Sequence, residues 1–370
     1  MHPLITQSLP YIREIAPYQP GKPITELARE TGIPAENIVK LASNENPLGM
    51  SPLAFEAVSD AMSGIARYPD PFDLIKKLAQ HLHLSPTQLV LGNGSNDVLD
   101  LLARVFLAPG RSSVFSDHAF AVYSLATLAA GAENIVVPAT DFGHDLQSMR
   151  TAIRPDTRIV WIANPNNPTG TFLPAGEVRA FIASVPDNVL VVLDEAYNEY
   201  LTPTHREDSV AWLEAFPNLV ITRTFSKIYG LAGLRVGYAL AAPAVADLLN
   251  RVRQPFNVNN LALAAAYAAL DDQAFLQRSY ALNQAGLQQL KAGLDGLNLT
   301  YLPAFGNFIT FKAGEDKSAG SRVNQGLLKQ GVIVRPIAGY GMPEWLRVTV
   351  GTATENQRFI EALSSALTSS

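Results

Sequence analysis

Short runs of β-branched and apolar residues recur at Leu89–Leu91, Val114–Phe115, Ile135–Val137, Ile159–Ala163, Val189–Leu193 and Leu219–Thr222. Most are separated by stretches with helical spacing. This alternation constrains the fold more than any other feature, because strands fed by helical crossovers form an α/β sheet that is mostly parallel. The pattern changes after a long helical segment from Asp272 to about Leu294. There follow strand-like Phe308–Phe311, a helix near Ala319–Gln330, strands Val332–Val334 and Leu346–Val350, and a final helix from Thr354. That order predicts a smaller α+β domain. Ahead of the alternation lie an extended arm, a short amphipathic helix near Ile24–Glu30 and strand-like Ile38–Leu41. The expected organisation is an arm contributing part of the small domain (1–43), a large domain (44–270) and a small C-terminal domain (271–370).

A chain of 370 residues is long enough for two cores, and 48% apolar with 16% charged residues is the balance of a compact soluble protein. The net charge of −5 leaves no basic excess to displace counterions, which argues against nucleic acid as a partner. There is no cysteine, which excludes disulfides, thiolate metal sites and a cysteine nucleophile, and suits a reducing cytoplasm. The N-terminus lacks a basic segment followed by an apolar run. The longest apolar stretch, around Leu261–Leu270, is too short to span a bilayer, so no membrane partner is expected. His81 and His83 are two apart, which on a helix points them to different faces, and no metal site is expected.

Three strand runs end in polar residues. Ile159–Ala163 leads into Asn164-Pro165-Asn166-Asn167-Pro168-Thr169-Gly170, and Val189–Leu193 into Asp194-Glu195-Ala196-Tyr197. Leu219–Thr222 leads into Arg223-Thr224-Phe225-Ser226-Lys227, with Arg235-Val236-Gly237-Tyr238 shortly after. Ligands of open α/β sheets bind beyond the carboxyl ends of the strands, so these residues can share one crevice. Taken singly, each has a plainer reading as a turn, a helix cap or a surface charge. Gly92-Asn93-Gly94 begins like a dinucleotide-binding loop, but Asp97 stands where the third glycine belongs, which disfavours a Rossmann dehydrogenase.

Taken together, the order and spacing of Asn167, Asp194, Tyr197, Ser226-Lys227 and Arg235 resemble the class I/II aminotransferases of pyridoxal 5′-phosphate fold type I. The resemblance implies that Lys227 is the Schiff-base lysine and carries the proton that moves during amine exchange. It implies that Asp194 keeps the cofactor's ring nitrogen protonated, and that Asn167 and Tyr197 hold the 3′-oxygen. Ser95 and Asn96, which open a helix, would bind the cofactor phosphate with Ser226 and Arg235. Phe120, in His118-Ala119-Phe120-Ala121-Val122-Tyr123, aligns with an aromatic that stacks on the ring, where the family often has Pro-Thr-Tyr.

Further segments are similar to the histidinol-phosphate aminotransferases over nearly the whole chain. They are Pro17-Tyr18-Gln19-Pro20-Gly21-Lys22-Pro23, Leu41-Ala42-Ser43-Asn44-Glu45-Asn46-Pro47, Arg67-Tyr68-Pro69-Asp70, Phe225–Arg235 and Leu346-Arg347-Val348-Thr349-Val350-Gly351-Thr352. This similarity implies amino transfer between L-histidinol phosphate and 2-oxoglutarate, with a small-molecule amino donor and a 2-oxo acid as the partners. It also implies a homodimer with shared sites, in which Tyr68 reaches the cofactor phosphate bound by the neighbouring subunit. Arg347 would bind the anionic group beside the reacting amine, with Arg335, Tyr18, Asn44 and Asn307 as further substrate contacts. A cis Asn167–Pro168 bond is expected. Two relatives with the same cofactor residues stay open as alternatives: an aromatic (phenylalanine or tyrosine) aminotransferase and a threonine-phosphate decarboxylase. A non-catalytic cofactor-binding sensor would need a DNA-binding segment that the short arm does not supply.

Overall fold

The computed structural model describes residues 3–18 and 20–368, so Gln19 of the arm motif lies outside the described residues. The strands are β1 (Val39–Lys40), β2 (Leu89–Gly92), β3 (Ser112–Ser116), β4 (Glu133–Val137), β5 (Thr157–Ala163), β6 (Leu190–Asp194), β7 (Leu219–Thr224), β8 (Gly237–Ala241), β9 (Phe308–Lys312), β10 (Val332–Ile333), β11 (Arg335–Pro336) and β12 (Trp345–Thr349). β2 to β8 form a seven-stranded sheet in the order β2-β8-β7-β6-β5-β3-β4. β8 pairs antiparallel with both neighbours, and the remaining pairs are parallel. The sheet is therefore mostly parallel, as the alternation predicts.

Both faces of this sheet are covered, which is why its strands read as continuous apolar runs. Val160, Ile162, Val191 and Leu193 face a cluster that includes Leu74, Leu78 and Ala262. Ile159, Trp161, Leu190 and Val192 face another that includes Leu99, Leu102 and Tyr123. The strand period of two sends neighbouring side chains into opposite layers. The apolar stretch Leu261–Leu270 belongs to the helix Asn260–Ala269, whose Ala262, Ala265 and Ala266 are fully buried. Among the described residues, no helix is long and apolar enough to cross a membrane.

The register fixes where the polar strand ends meet. Ala163 of β5 pairs with Asp194 of β6, and Asp194 with Thr222 of β7, so these parallel strands finish side by side. β8 runs the other way and begins where the others end, with Gly237 opposite Thr224 on one side and Gly92 on the other. Arg235, just before β8, thus arrives at the same edge as Lys227, just after β7.

The last third forms a three-stranded sheet, β11-β12-β9, against which the helices Ala319–Lys329 and Ala353–Thr368 contribute Val323, Leu327, Phe359 and Leu363 to a shared core. The run Val332–Val334 does not stay one strand. β10 pairs in parallel with β1, and after the buried Val334 the chain turns into β11 to pair with β12. β1 thereby ties residues before the large sheet to residues near the C-terminus. The 24-residue helix Gln273–Gly296 follows the large sheet and precedes β9.

Candidate active site

The loops leaving β5, β6 and β7, the turn into β8, the segment 42–44 and the β11–β12 pair line one cleft. Asp194, the last residue of β6, is buried there. Its Oδ2 accepts a hydrogen bond of 2.8 Å from the Tyr123 hydroxyl, while its Oδ1 is buried without a hydrogen-bond partner. Burial raises the pKa of Asp194, and the Tyr123 bond pulls the other way. That buried oxygen is an acceptor that no donor of the described residues meets. Tyr123 is held by stacking on Trp161, with centroids 5.3 Å apart and planes 3° apart, and it meets Phe120 edge-on.

Lys227 reaches into the same cleft, where its Nζ donates to the Ser43 carbonyl at 3.3 Å and lies 5.6 Å from the centre of the Tyr197 ring. Burial first, and the nearby Arg347 guanidinium second, push its pKa down to about 8. The free amine is thus accessible close to neutral pH.

Asn167 and Tyr197 are both buried at this edge. The Oδ1 of Asn167 accepts from Arg347 Nη1, which leaves the amide donors of Asn167 for another acceptor. The Tyr197 hydroxyl accepts from Asn44 Nδ2 at 2.8 Å, so its own proton is free to be donated elsewhere. The Asn167–Pro168 bond is cis, as expected, and so is Asn164–Pro165.

The start of the helix Ser95–Phe106 carries Ser95 and Asn96 into the cleft beside Ser226 and Arg235. Arg235 Nη2 donates to the Asn93 carbonyl at 3.3 Å and its Nη1 to Ser226 Oγ at 3.4 Å. Two glycines make this approach possible. A Cβ on Gly94 (φ 79°) would lie 2.6 Å from Arg235 Nη2, and one on Gly237 would lie 2.5 Å from the Ser95 amide nitrogen. The outcome is a cradle of backbone N–H groups, hydroxyls and a guanidinium, which suits a phosphate. With the unpartnered Asp194 oxygen, the donor set fits a phosphorylated pyridine with an aldehyde for Lys227.

Arg347 of β12 is buried, donates from Nη2 to the Ala42 carbonyl at 2.7 Å, and keeps a buried Nε without a partner. Arg335 stands directly opposite it in the β11–β12 register. Like charges facing each other across a strand pair are unfavourable unless an anion lies between them. Burial lowers the pKa of Arg347, and Arg335 adds to that. Tyr18 lies under the Arg335 guanidinium, 5.4 Å from its centre, and its hydroxyl accepts from Nη2 at 3.4 Å.

Asn307, expected as a substrate contact, lies outside this cleft, and so does Tyr68, whose expected place is the cofactor of the neighbouring subunit. Asn307 is buried behind the cleft, its Nδ2 donating to the Asn44 carbonyl at 3.0 Å, which supports Asn44 from behind. Tyr68 is 79% exposed and stacks on Phe256. One residue behind the cleft and one lining it lack a local signal in the sequence. Tyr123 acts on a carboxylate 71 positions away. Tyr340, from the turn Ala338–Tyr340, lines the cleft with Arg335 and Arg347.

The family model for aminotransferase class I and II matches residues 36–363. The chain is 68% identical over 364 residues to histidinol-phosphate aminotransferase 1 of Dechloromonas aromatica (strain RCB), covering 98% of this chain and 99% of that one. It is 61% identical over 360 residues to histidinol-phosphate aminotransferase 1 of Thiobacillus denitrificans, covering 97% and 93%. The crystal structure of histidinol-phosphate aminotransferase from Sinorhizobium meliloti in complex with pyridoxal-5′-phosphate superposes with a TM-score of 0.91 at 29% identity, covering 98% of each chain.

Proposed function

The chain belongs to the class I and II aminotransferases, and from that premise we infer that it exchanges an amino group between L-histidinol phosphate and 2-oxoglutarate with pyridoxal 5′-phosphate as cofactor. The observation that carries this reading is the convergence, in one cleft, of a lysine amine with a lowered pKa, a buried aspartate oxygen without a partner, and a cradle built for phosphate. When bound, the cofactor supplies an aldehyde for amine exchange and a protonated ring that accepts the electrons released at the donor's Cα.

Lys227 Nζ would hold the cofactor through its aldehyde, and as a free amine it would move the proton to and from the donor's Cα. Asp194 Oδ1 would hold a proton at the ring nitrogen, with Tyr123 keeping the carboxylate in place from its other side. Asn167 and Tyr197 would donate to the 3′-oxygen, and Phe120 would lie against the ring. Ser95, Asn96, Ser226 and Arg235 would bind the phosphate. Arg347 and Arg335 take the anionic group of each substrate, since a planar guanidinium fork pairs with carboxylate or phosphate alike. Both amino donors then use one site in turn, as a ping-pong route requires. Tyr18 and Asn44 border the substrate side, and Asn307 buttresses Asn44.

A second copy of the chain covers the surface around Tyr68, giving a homodimer whose two sites share that tyrosine. Its substrates are small molecules, and the absence of cysteine suits work in the cytoplasm. A donor panel tests the assignment. With 2-oxoglutarate as acceptor, kcat/KM for histidinol phosphate is expected to exceed that for phenylalanine and tyrosine by roughly 100-fold, the scale of one further charge-assisted hydrogen bond that a phosphate makes and a carboxylate does not. Equal or higher values for the aromatic donors would overturn it.

A further inference from the structure

His118 touches two segments that deliver side chains to the cleft, the Tyr340 turn and the loop bearing Asn167, and its own segment delivers a third, Phe120. It precedes Phe120 by two residues and holds φ 56°, a conformation that suits glycine and asparagine better than most residues. Its Nδ1 lies 2.6 Å from the carbonyl oxygen of Tyr340, a partner 222 positions away. A carbonyl only accepts, so Nδ1 carries the proton and donates it. The His118 carbonyl accepts in turn from Asn166 Nδ2 at 3.1 Å, in the loop that bears Asn167. Its imidazole stacks on Phe142, with centroids 5.8 Å apart, and Phe142 meets Trp345 edge-on at 5.2 Å. Trp345 opens β12, two residues before Arg347.

We propose that His118 is a positioning residue that pins the Ala338–Tyr340 turn to the Phe120 segment and so sets the fit of the cleft to the amino donor. The proposal rests on the amino-transfer reading of this cleft. Tyr340 lines the cleft beside both arginines, so a turn that wanders takes one wall of the donor pocket with it. Without the tether, substrate binding must order the turn at its own expense, which weakens binding. Lys227, Asp194 and the phosphate cradle touch neither the imidazole nor the turn's carbonyl. Amine chemistry and cofactor binding are therefore expected to survive its loss.

Two variants separate the side chain from the strained backbone. His118→Gly removes the imidazole and relaxes the positive φ, while His118→Asn tolerates that φ and keeps an N–H donor. Hydrogen exchange of the cofactor-loaded protein without substrate reads the tether directly. Amides of residues 338–342 should exchange roughly tenfold faster in His118→Gly, the scale of one hydrogen bond, and near the wild-type rate in His118→Asn. KM for histidinol phosphate should rise by a similar factor of about ten in His118→Gly with kcat little changed and the cofactor absorbance intact. Unchanged exchange and KM in His118→Gly, or a loss of cofactor absorbance in both variants alike, would overturn the proposal. A wild-type protein inert towards histidinol phosphate would overturn the functional reading instead, and the exchange comparison would still decide the tether.

Discussion

Burial and the Arg347 guanidinium both disfavour an ammonium on Lys227, and its pKa falls to about 8. The free amine is the form that attacks an aldehyde. The rate at which apo-protein takes up the cofactor, followed by its visible absorbance, should therefore rise with pH through about 8 and level off above it. Arg347→Gln removes one source of the depression, so the midpoint should move to higher pH; a midpoint unmoved or lowered would contradict the electrostatic account. The Tyr123–Asp194 bond shows the limit of reading single residues. Lys227, Asp194, Asn167, Tyr197 and Arg235 are legible because their order and spacing together resemble a known family, whereas each alone reads as a turn, a cap or a surface charge. Tyr123 is not, since its helix position, Ala121–Ala129, says only that it is buried. Its role comes from a contact between the helix after β3 and the end of β6.

At the scale of elements, the apolar runs forecast β2 to β7 within a residue or two, because a strand covered on both faces has to be apolar throughout. β4, at the sheet edge and exposed at Glu133 and Val136, is read from its Ile135–Val137 run alone. β8 escapes such a reading. Gly237-Tyr238-Ala239-Leu240-Ala241 has little β-branching, and packing between β2 and β7 makes it a strand. Its reversed direction is also invisible in sequence, although that direction brings Arg235 to the cleft. The same packing explains the glycines. Gly237 allows β8 to pass against the first turn of the helix Ser95–Phe106, and Gly94 leaves room for Arg235. Gly94→Ala should weaken cofactor binding by roughly tenfold or more, because an L-residue is strained at φ 79° and its Cβ displaces Arg235. Titration of apo-protein with pyridoxal 5′-phosphate measures this, and an unchanged Kd would show that the cradle does not hold the phosphate.

For the whole molecule, the exposed apolar side chains are unevenly placed. Phe55, Met62, Ile65, Tyr68, Phe72 and Phe256 are each more than half exposed. Tyr68 and Phe256 stack with centroids 4.5 Å apart, joining residues far apart in the chain on one surface. An exposed apolar pair of this kind fits the homodimer proposed above, in which Tyr68 serves the partner's cleft. Sedimentation should find a dimer, and Tyr68→Phe should weaken cofactor binding while leaving the dimer intact; a fully active monomer at nanomolar concentration would contradict this. The central claim, that one cleft performs both halves of an amino exchange at Lys227, is tested most directly without an oxo acid present. Purified cofactor-loaded protein is mixed with histidinol phosphate and its visible absorbance followed. The account predicts that the band is lost in proportion to the active sites, returns when 2-oxoglutarate is added, and responds to neither in Lys227→Ala. A band unaffected by histidinol phosphate, or one that responds as fast in Lys227→Ala as in wild type, would contradict it.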